Sequence, residues 1–235
     1  MNLIWFYSKI KLTLIPILLK PKTELTMAKL GDNILSAGSG SLGNMVMYSM
    51  HGKNYVRLKP SKYNDRKSEA QLSQRAKMQL VTEFMKPFKE LIRKTYAAEA
   101  TGRAPYHAAK SYLMRNAVDG TYPDFTINKS NALLSKGPLP VPPEARFQIQ
   151  NDQLLIEWNE STENDKAYSR DTLIVVAFNP QNGRSDYRFT NTLRKENHFS
   201  WKPEISFSND LMPDVWIAFR SFDEELMSNS IYITV

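Results

Sequence analysis

The sequence contains no cysteine, and this absence excludes several classes of site. Without thiols the chain has no disulfide bond, no thiolate zinc site and no cysteine nucleophile. Histidine is also scarce, with only His51, His107 and His198. These three lie far apart, and none has a metal-site partner three or four residues away. We therefore expect neither a bound metal ion nor any other cofactor.

The N-terminal 26 residues are apolar and basic, but they lack a run long enough to cross a membrane. Lys9 and Lys11 interrupt them and leave the short stretch Leu12–Leu19, whereas a membrane span needs about 20 apolar residues. A small-residue cleavage site is missing as well. We interpret residues 1–26 as an over-extended gene start or an apolar extension, with translation beginning at Met27. A membrane anchor or an uncleaved signal peptide is the alternative; otherwise we expect no membrane partner and favour a cytoplasmic location.

A glycine motif near the start lacks the context of a cofactor loop. Residues 38–43, Gly-Ser-Gly-Ser-Leu-Gly, have the GxGxxG spacing, but a dinucleotide loop must follow a buried strand and open a helix. Here β-prone residues lie on both sides of the turn His51-Gly52-Lys53. We therefore predict a β-hairpin whose preceding glycines supply positive φ angles. Asp65 follows the glycine motif at about the sequence separation expected of a ribose-binding acid in a dinucleotide site, but we interpret this spacing as a coincidence.

Catalytic constellations are missing too. There is no GxSxG motif to accompany the isolated histidines. Glu157 is expected to point outward from its strand, and several other C-terminal acids cluster in predicted loops, at Glu160, Glu163, Asp165 and residues 223–225. Carboxylates in loops are normally solvated, and acid–base catalysis needs a pocket that perturbs them. The sequence therefore predicts a protein that is not an enzyme.

Charge is distributed unevenly along the chain, whose formal net charge is +7. Residues 1–26 carry 4 basic and 1 acidic side chains, residues 27–140 carry 18 and 8, and residues 141–235 carry 9 and 15. A basic surface attracts polyanions such as nucleic acid. The alternative is that the basic and acidic halves attract each other, or that the charges only solvate two separate surfaces.

The segment after the hairpin predicts two helical regions. Ser68 and Gln71 have the spacing of a capping box, and apolar residues recur at helical spacing from Leu72 to Tyr96. Pro87 predicts either a kink or the start of a new helix. A further helix should run from about Ala104 to about Val118, with Pro105 in its first turn and Gly120 ending it.

The C-terminal part of the sequence predicts a linker followed by strands. Four prolines between Pro138 and Pro143 indicate an extended linker. Seven β-prone runs follow in about 90 residues, which is typical of a β-sandwich; they are 147–150, 154–158, 172–178, 186–189, 199–201, 215–220 and 230–235. Trp158 should be a core residue of this part. Because there is no cysteine pair, a fibronectin-type variant is favoured over an antibody-type one.

These observations together predict an α+β protein, a basic β-hairpin plus helices followed by an immunoglobulin/fibronectin-III-like β-sandwich. The predicted boundaries are 1–26 for the N-terminal extension, 27–135 for the basic hairpin-plus-helix domain, 136–146 for the linker and 147–235 for the sandwich.

Several stretches spread along the chain form a recognisable set: GSLGNMVMY with GKNYVR, AQLSQRAKM, AAKSYLMRNAVDGTYPDF, LLSKGPLP and the closing SNSIY. Through these stretches the sequence from Met27 resembles an uncharacterised family of bacterial domains that is common in Bacteroidota. At Glu69 the chain departs from the family, in which a proline is expected to open the helix. The resemblance implies a start near Met27 and no catalytic residue.

We therefore expect a non-enzymatic binding or structural module that acts in an assembly, with an unknown protein partner or a second copy of itself. The alternative is nucleic-acid binding by the basic region 27–135. The candidate partner-binding residues are Lys53, Tyr55, Arg57, Lys59, Gln71, Gln74 and Arg75. For the last three, capping and packing against the glycine loop is the competing interpretation.

Overall fold

The computed structural model of the chain describes residues 27–30, 39–59, 65–142, 144–159, 169–206 and 212–234. The interpretation of residues 1–26 lies outside these residues, as do the predicted loop acids Glu160, Glu163 and Asp165. The chain divides into two units, Met1–Asn64 and Asp65–Val235.

The first unit contains an antiparallel sheet of four strands in the order β1-β4-β3-β2. The strands are β1 (Met27–Leu30), β2 (Gly40–Leu42), β3 (Met45–Met50) and β4 (Lys53–Leu58). The predicted hairpin is confirmed, because β3 and β4 are joined by a turn in which His51 and Gly52 have φ angles of 51° and 72°. Two consecutive positive φ angles are typical of the tight turn that matches strand twist. The glycine motif therefore leads into strands and not into a helix.

The second unit begins with helices, α1 (Glu69–Met85), α2 (Lys89–Thr95) and α3 (Pro105–Asn116). The capping box is confirmed: Ser68 Oγ accepts from the Gln71 N–H, and the Gln71 side chain accepts from the Ser68 N–H. Pro87 lies in a single 3-10 turn, residues 86–88, which separates α1 from α2. Proline lacks the N–H that a continuous helix would need there, so one long amphipathic stripe is divided between two helices.

A short hairpin follows α3, and the sequence did not predict it. Its strands are β5 (Val118–Thr121) and β6 (Asp124–Ile127). Helix α3 ends at Asn116, whereas Gly120 lies within β5 with a φ angle of 91°. A Cβ atom at Gly120 would come within 2.3 Å of the Asp124 carbonyl oxygen. Glycine is therefore required by the hairpin and not by the end of the helix.

Seven strands make up the rest of the second unit, and each corresponds to one of the predicted β-prone runs. They are β7 (Ala145–Gln150), β8 (Gln153–Trp158), β9 (Thr172–Asn179), β10 (Arg184–Leu193), β11 (His198–Trp201), β12 (Asp214–Arg220) and β13 (Ile231–Ile233). All of their pairings are antiparallel, in a sheet ordered β10-β9-β12-β13 and a sheet ordered β11-β8-β7. The α+β class is confirmed as helices combined with antiparallel strands in several small sheets.

The two central strands of the four-stranded sheet in the second unit, β9 and β12, are buried on both faces. Alternate residues of β9 and β12, such as Val175 and Ile217, share a core with the three-stranded sheet, which contributes Trp158. Trp158 is buried as predicted, and its indole N–H donates to the Arg194 carbonyl oxygen at 2.8 Å. The intervening residues of β9 and β12, among them Trp216, face the helices. Helices and strands are thus held together by one sheet.

The helix side of this core is dominated by aromatic rings. Phe88, at the end of the 3-10 turn, lies 5.3 Å from the Phe178 ring and 5.9 Å from the Trp216 ring, measured between centroids. Phe84 and Tyr232 also contact Trp216, with centroids at 6.3 and 5.1 Å. Such tilted and edge-on pairs add to the hydrophobic gain from burying large rings.

A half-buried ion pair joins the loop after β6 to β12 of the four-stranded sheet. Asp214 is buried and receives the Lys129 ammonium group at 2.8 Å and the Tyr232 hydroxyl at 2.9 Å. The Trp216 indole N–H donates to the Lys129 carbonyl oxygen at 3.3 Å. Burial, followed by the hydrogen bond to Asp214 and its charge, raises the pKa of Tyr232 to about 12. The Asp214 carboxylate therefore keeps partners that offset the cost of its burial.

The units of the structure differ from the domains that the sequence predicted, because the Pro-rich segment does not separate helices from strands. Leu134 donates its N–H to Ser230 Oγ at 2.8 Å, and its carbonyl oxygen accepts from Thr95 Oγ1 at 2.7 Å. Leu139 is buried and forms a parallel bridge with Ser228. The segment before β7 therefore packs against both the helices and the strands.

Replacing Phe88 with alanine should destabilise helices and strands together. Removing a fully buried phenylalanine costs about 3–5 kcal/mol, and Phe88 touches both layers. In urea denaturation of the full chain, the helical circular dichroism and the tryptophan fluorescence should both shift to lower urea by the same amount. The matched control is Phe222→Ala, since Phe222 is 73% exposed and its loss should change stability by at most about 0.5 kcal/mol. A helical transition that moved alone would show that two independent domains are present.

Candidate binding surface on the hairpin sheet

The structure divides the seven candidate residues between the two units. Lys53, Tyr55 and Arg57 lie on β4, and Lys59 follows that strand. Gln71, Gln74 and Arg75 lie in the first two turns of α1, in the second unit. The two sets therefore belong to different local structures.

At the start of α1, two of the three candidates have structural partners. Gln71 completes the capping box with Ser68. Arg75 binds the Asp65 carboxylate with two nitrogens, at 2.7 and 2.9 Å. Hydrogen bonding by Arg75 holds the pKa of Asp65 below its usual range, so this carboxylate serves the helix start. Gln74 is exposed on the same helix. The capping interpretation is thus confirmed for Gln71.

On β4, strand alternation places Lys53, Tyr55 and Arg57 on one face of the sheet. The β3–β4 register sets Tyr48 opposite Tyr55, with Met50 opposite Lys53 and Val46 opposite Arg57. The two tyrosine rings stack, with centroids 5.6 Å apart and planes inclined by 22°. We call the set of these six residues the tyrosine face. It consists of a stacked aromatic pair with a cation two residues away on each side.

The charges of this sheet have one sign. Residues 39–59 contain three basic side chains, Lys53, Arg57 and Lys59, and no acidic one. All three are exposed, and no ion pair to them occurs among the described residues. The Lys59 N–H donates to the Asn44 carbonyl oxygen at 2.7 Å, which fixes its backbone at the end of the ladder. A group of exposed positive charges raises the local concentration of anions.

The opposite face of the sheet is uncharged among residues 39–59, and it is apolar except at the Ser49–Asn54 pair. The register aligns Leu42, Met45 and Leu58 across three strands, and the next row holds Met47 and Val56. Leu42, Met45 and Leu58 are 62%, 44% and 49% exposed. We call these five residues the apolar face. Sequence reasoning missed it, although the alternation of Met45, Met47, Val56 and Leu58 within the predicted hairpin carries the pattern.

The acidic residues of the second unit form no comparable cluster in the part of the chain that the structure describes. Glu157 is exposed, as predicted, and pairs with Arg146 at 2.8 Å. Asp223 lies in an exposed turn, where hydrogen bonds from the Ser221 hydroxyl and the Glu225 N–H lower its pKa. No group of three potential metal ligands is found among the described residues. None of the described helices is both long and apolar enough to span a lipid bilayer.

The chain belongs to DUF6266, a family of unknown function, whose model matches residues 37–234. This match confirms the predicted membership of an uncharacterised domain family. It includes β2, β3 and β4 of the first unit together with the described elements of the second unit. No curated protein and no solved structure matches the chain.

Proposed function

We propose that this DUF6266 protein is a non-enzymatic assembly module in which the second unit is a scaffold and the apolar face of the hairpin sheet binds a second copy of the chain. The single observation that carries the proposal is the exposure of Leu42, Met45 and Leu58 on one uncharged face. Contiguous exposed apolar side chains often mark protein interaction sites.

We propose that this scaffold is a fibronectin-III-like sandwich, and three features support it. Seven antiparallel strands divide into a four-stranded and a three-stranded sheet. The chain changes from one sheet to the other between β8 and β9 and again on either side of β11, and one core receives side chains from both sheets. Sandwiches of this kind present loops and edges to partners while the interior stays fixed.

The distribution of charge supports a second copy as the occupant. Every described residue between 39 and 59 is exposed or half-exposed, so β2, β3 and β4 contribute no fully buried side chain. A small sheet needs a covered apolar face for independent stability. Lys53 and Arg57 lie on the tyrosine face, so two sheets could pair through their apolar faces without bringing these cations together.

Self-association should therefore depend on Leu42. Sedimentation of the full chain over a concentration series should show reversible oligomers, and Leu42→Asp should raise the dissociation constant at least tenfold, because it would bury an unpaired charge. Leu226→Asp is the matched control, since Leu226 is 40% exposed and lies in the second unit. A wild-type chain that remains monomeric throughout, or equal effects of the two substitutions, would contradict the proposal; a monomer would redirect the search to a different protein partner.

A second candidate function is nucleic-acid binding through the basic region 27–135. The observation that favours it is the tyrosine face, which combines exposed cations with stacked aromatic rings and lies on a segment with no acidic residue. Neutralised phosphates release counterions, so such binding weakens steeply with salt.

This candidate predicts salt-dependent binding of a fluorescent DNA duplex by the full chain. Combining Arg57→Gln with Lys59→Gln should weaken the affinity and reduce the slope of log affinity against log salt, by about one unit per phosphate contact. Arg75→Gln is the matched control, because Arg75 is already paired with Asp65 and should contribute less. Affinity measured by anisotropy that is independent of salt, or equally reduced by the control, would exclude the candidate.

A further inference from the structure

We propose that the tyrosine face is a site for single-stranded nucleic acid, in which a base stacks on Tyr55 while phosphates lie next to Lys53 and Arg57. The proposal rests on the nucleic-acid candidate function and names its ligand more closely. It concerns the face of the sheet opposite to the one assigned to self-association, so both surfaces can be used in the same protein.

The sheet register fixes the aromatic part of this site. Tyr48 and Tyr55 are direct cross-strand neighbours, and neither depends on a loop for its position. Their rings are inclined by only 22°, and both side chains are half-buried, so they are partly held and partly accessible. Two nearly parallel rings form a stack that a planar base can extend, as aromatic side chains do on sheets that bind single strands.

The cations are placed by the same strand geometry. Lys53 and Arg57 lie two residues on either side of Tyr55 and on its face of β4, which puts each of them about 7 Å along the strand from the aromatic pair. Both side chains are exposed. A strand of nucleic acid that stacks a base at the centre of the face can therefore place phosphates near a basic group in either direction.

The same arrangement favours a single strand over a duplex. In a duplex the bases are stacked on one another and only their edges are accessible, so a duplex could use the cations but not the rings. Unpaired bases expose their faces, and every base has one, which makes such stacking tolerant of sequence. An acidic peptide would likewise satisfy the cations without using the aromatic pair.

A comparison of two oligomers on the unchanged full chain tests this directly. We expect a fluorescent 12-residue oligothymidylate to bind at least tenfold more tightly than an abasic deoxyribose-phosphate oligomer of the same length and charge, because stacking contributes about 5- to 100-fold per base. Tyr55→Ala should remove most of this preference, whereas Tyr55→Phe should retain it. Tyr122→Ala, at a 39% exposed tyrosine of the second unit, should leave it unchanged.

Equal affinity for the two oligomers would overturn the stacking site, yet the nucleic-acid candidate would survive if the DNA duplex bound with the predicted salt dependence. Absence of binding to both oligomers and to the duplex would overturn the site and the candidate together. The oligomer comparison uses no variant, so a substitution that disturbs the small sheet cannot mimic either result.

Discussion

The two-sided burial of β9 and β12, the central strands of the sheet β10-β9-β12-β13, is the constraint on which the second unit depends. In β9 and β12, neighbouring residues enter different interiors: Val175 and Ile217 meet the three-stranded sheet, whereas Val176 and Trp216 meet the helices. A polar group at any of these positions would lose its water without gaining a partner. The helices and the three-stranded sheet therefore depend on the same two strands.

This constraint explains why the strands could be predicted from the sequence while the domain boundary could not. Apolar and β-branched runs bounded by turn residues predicted the seven strands from β7 to β13, but not the short strands β5 and β6 of the same unit. The run 215–220 is apolar from Val215 to Phe219, and continuous apolar strands indicate cover on both faces. That second cover is the amphipathic helix pair, whose apolar stripe otherwise has no partner.

Prolines were a weaker guide than burial. Four of them between residues 138 and 143 suggested an extended linker, and the chain there does lack helices and regular strands. A proline-rich segment can nevertheless pack against helices and strands, because neighbouring residues without a proline ring supply the hydrogen bonds. Thr95, Ser135 and Ser230 provide them here, and these side-chain bonds span up to 96 residues of sequence. Contacts of that kind have no local sequence pattern.

The candidate surface was predicted in part. The turn His51-Gly52 fixes a two-residue loop, and from it the pairing of Tyr48 with Tyr55 follows by counting along both strands. The candidates Lys53, Tyr55 and Arg57 therefore do share a face. Gln71 and Arg75 were chosen for their polarity, but polar residues at a helix start are also what capping requires, and the structure gives both a partner within the second unit. The apolar face needs the register as well as the composition, which is why it was missed.

The central proposal is that the two faces of the hairpin sheet bind different partners. Hydroxyl-radical footprinting with mass spectrometry measures the oxidation of side chains on both faces in one experiment. Raising the protein concentration should protect Met45 and Leu58 from oxidation and leave Tyr48 and Tyr55 reactive. Adding oligothymidylate at low protein concentration should protect the two tyrosines and leave Met45 reactive. Protection of neither face under either condition, or of both faces together, would contradict the account of a sheet with two separate binding surfaces.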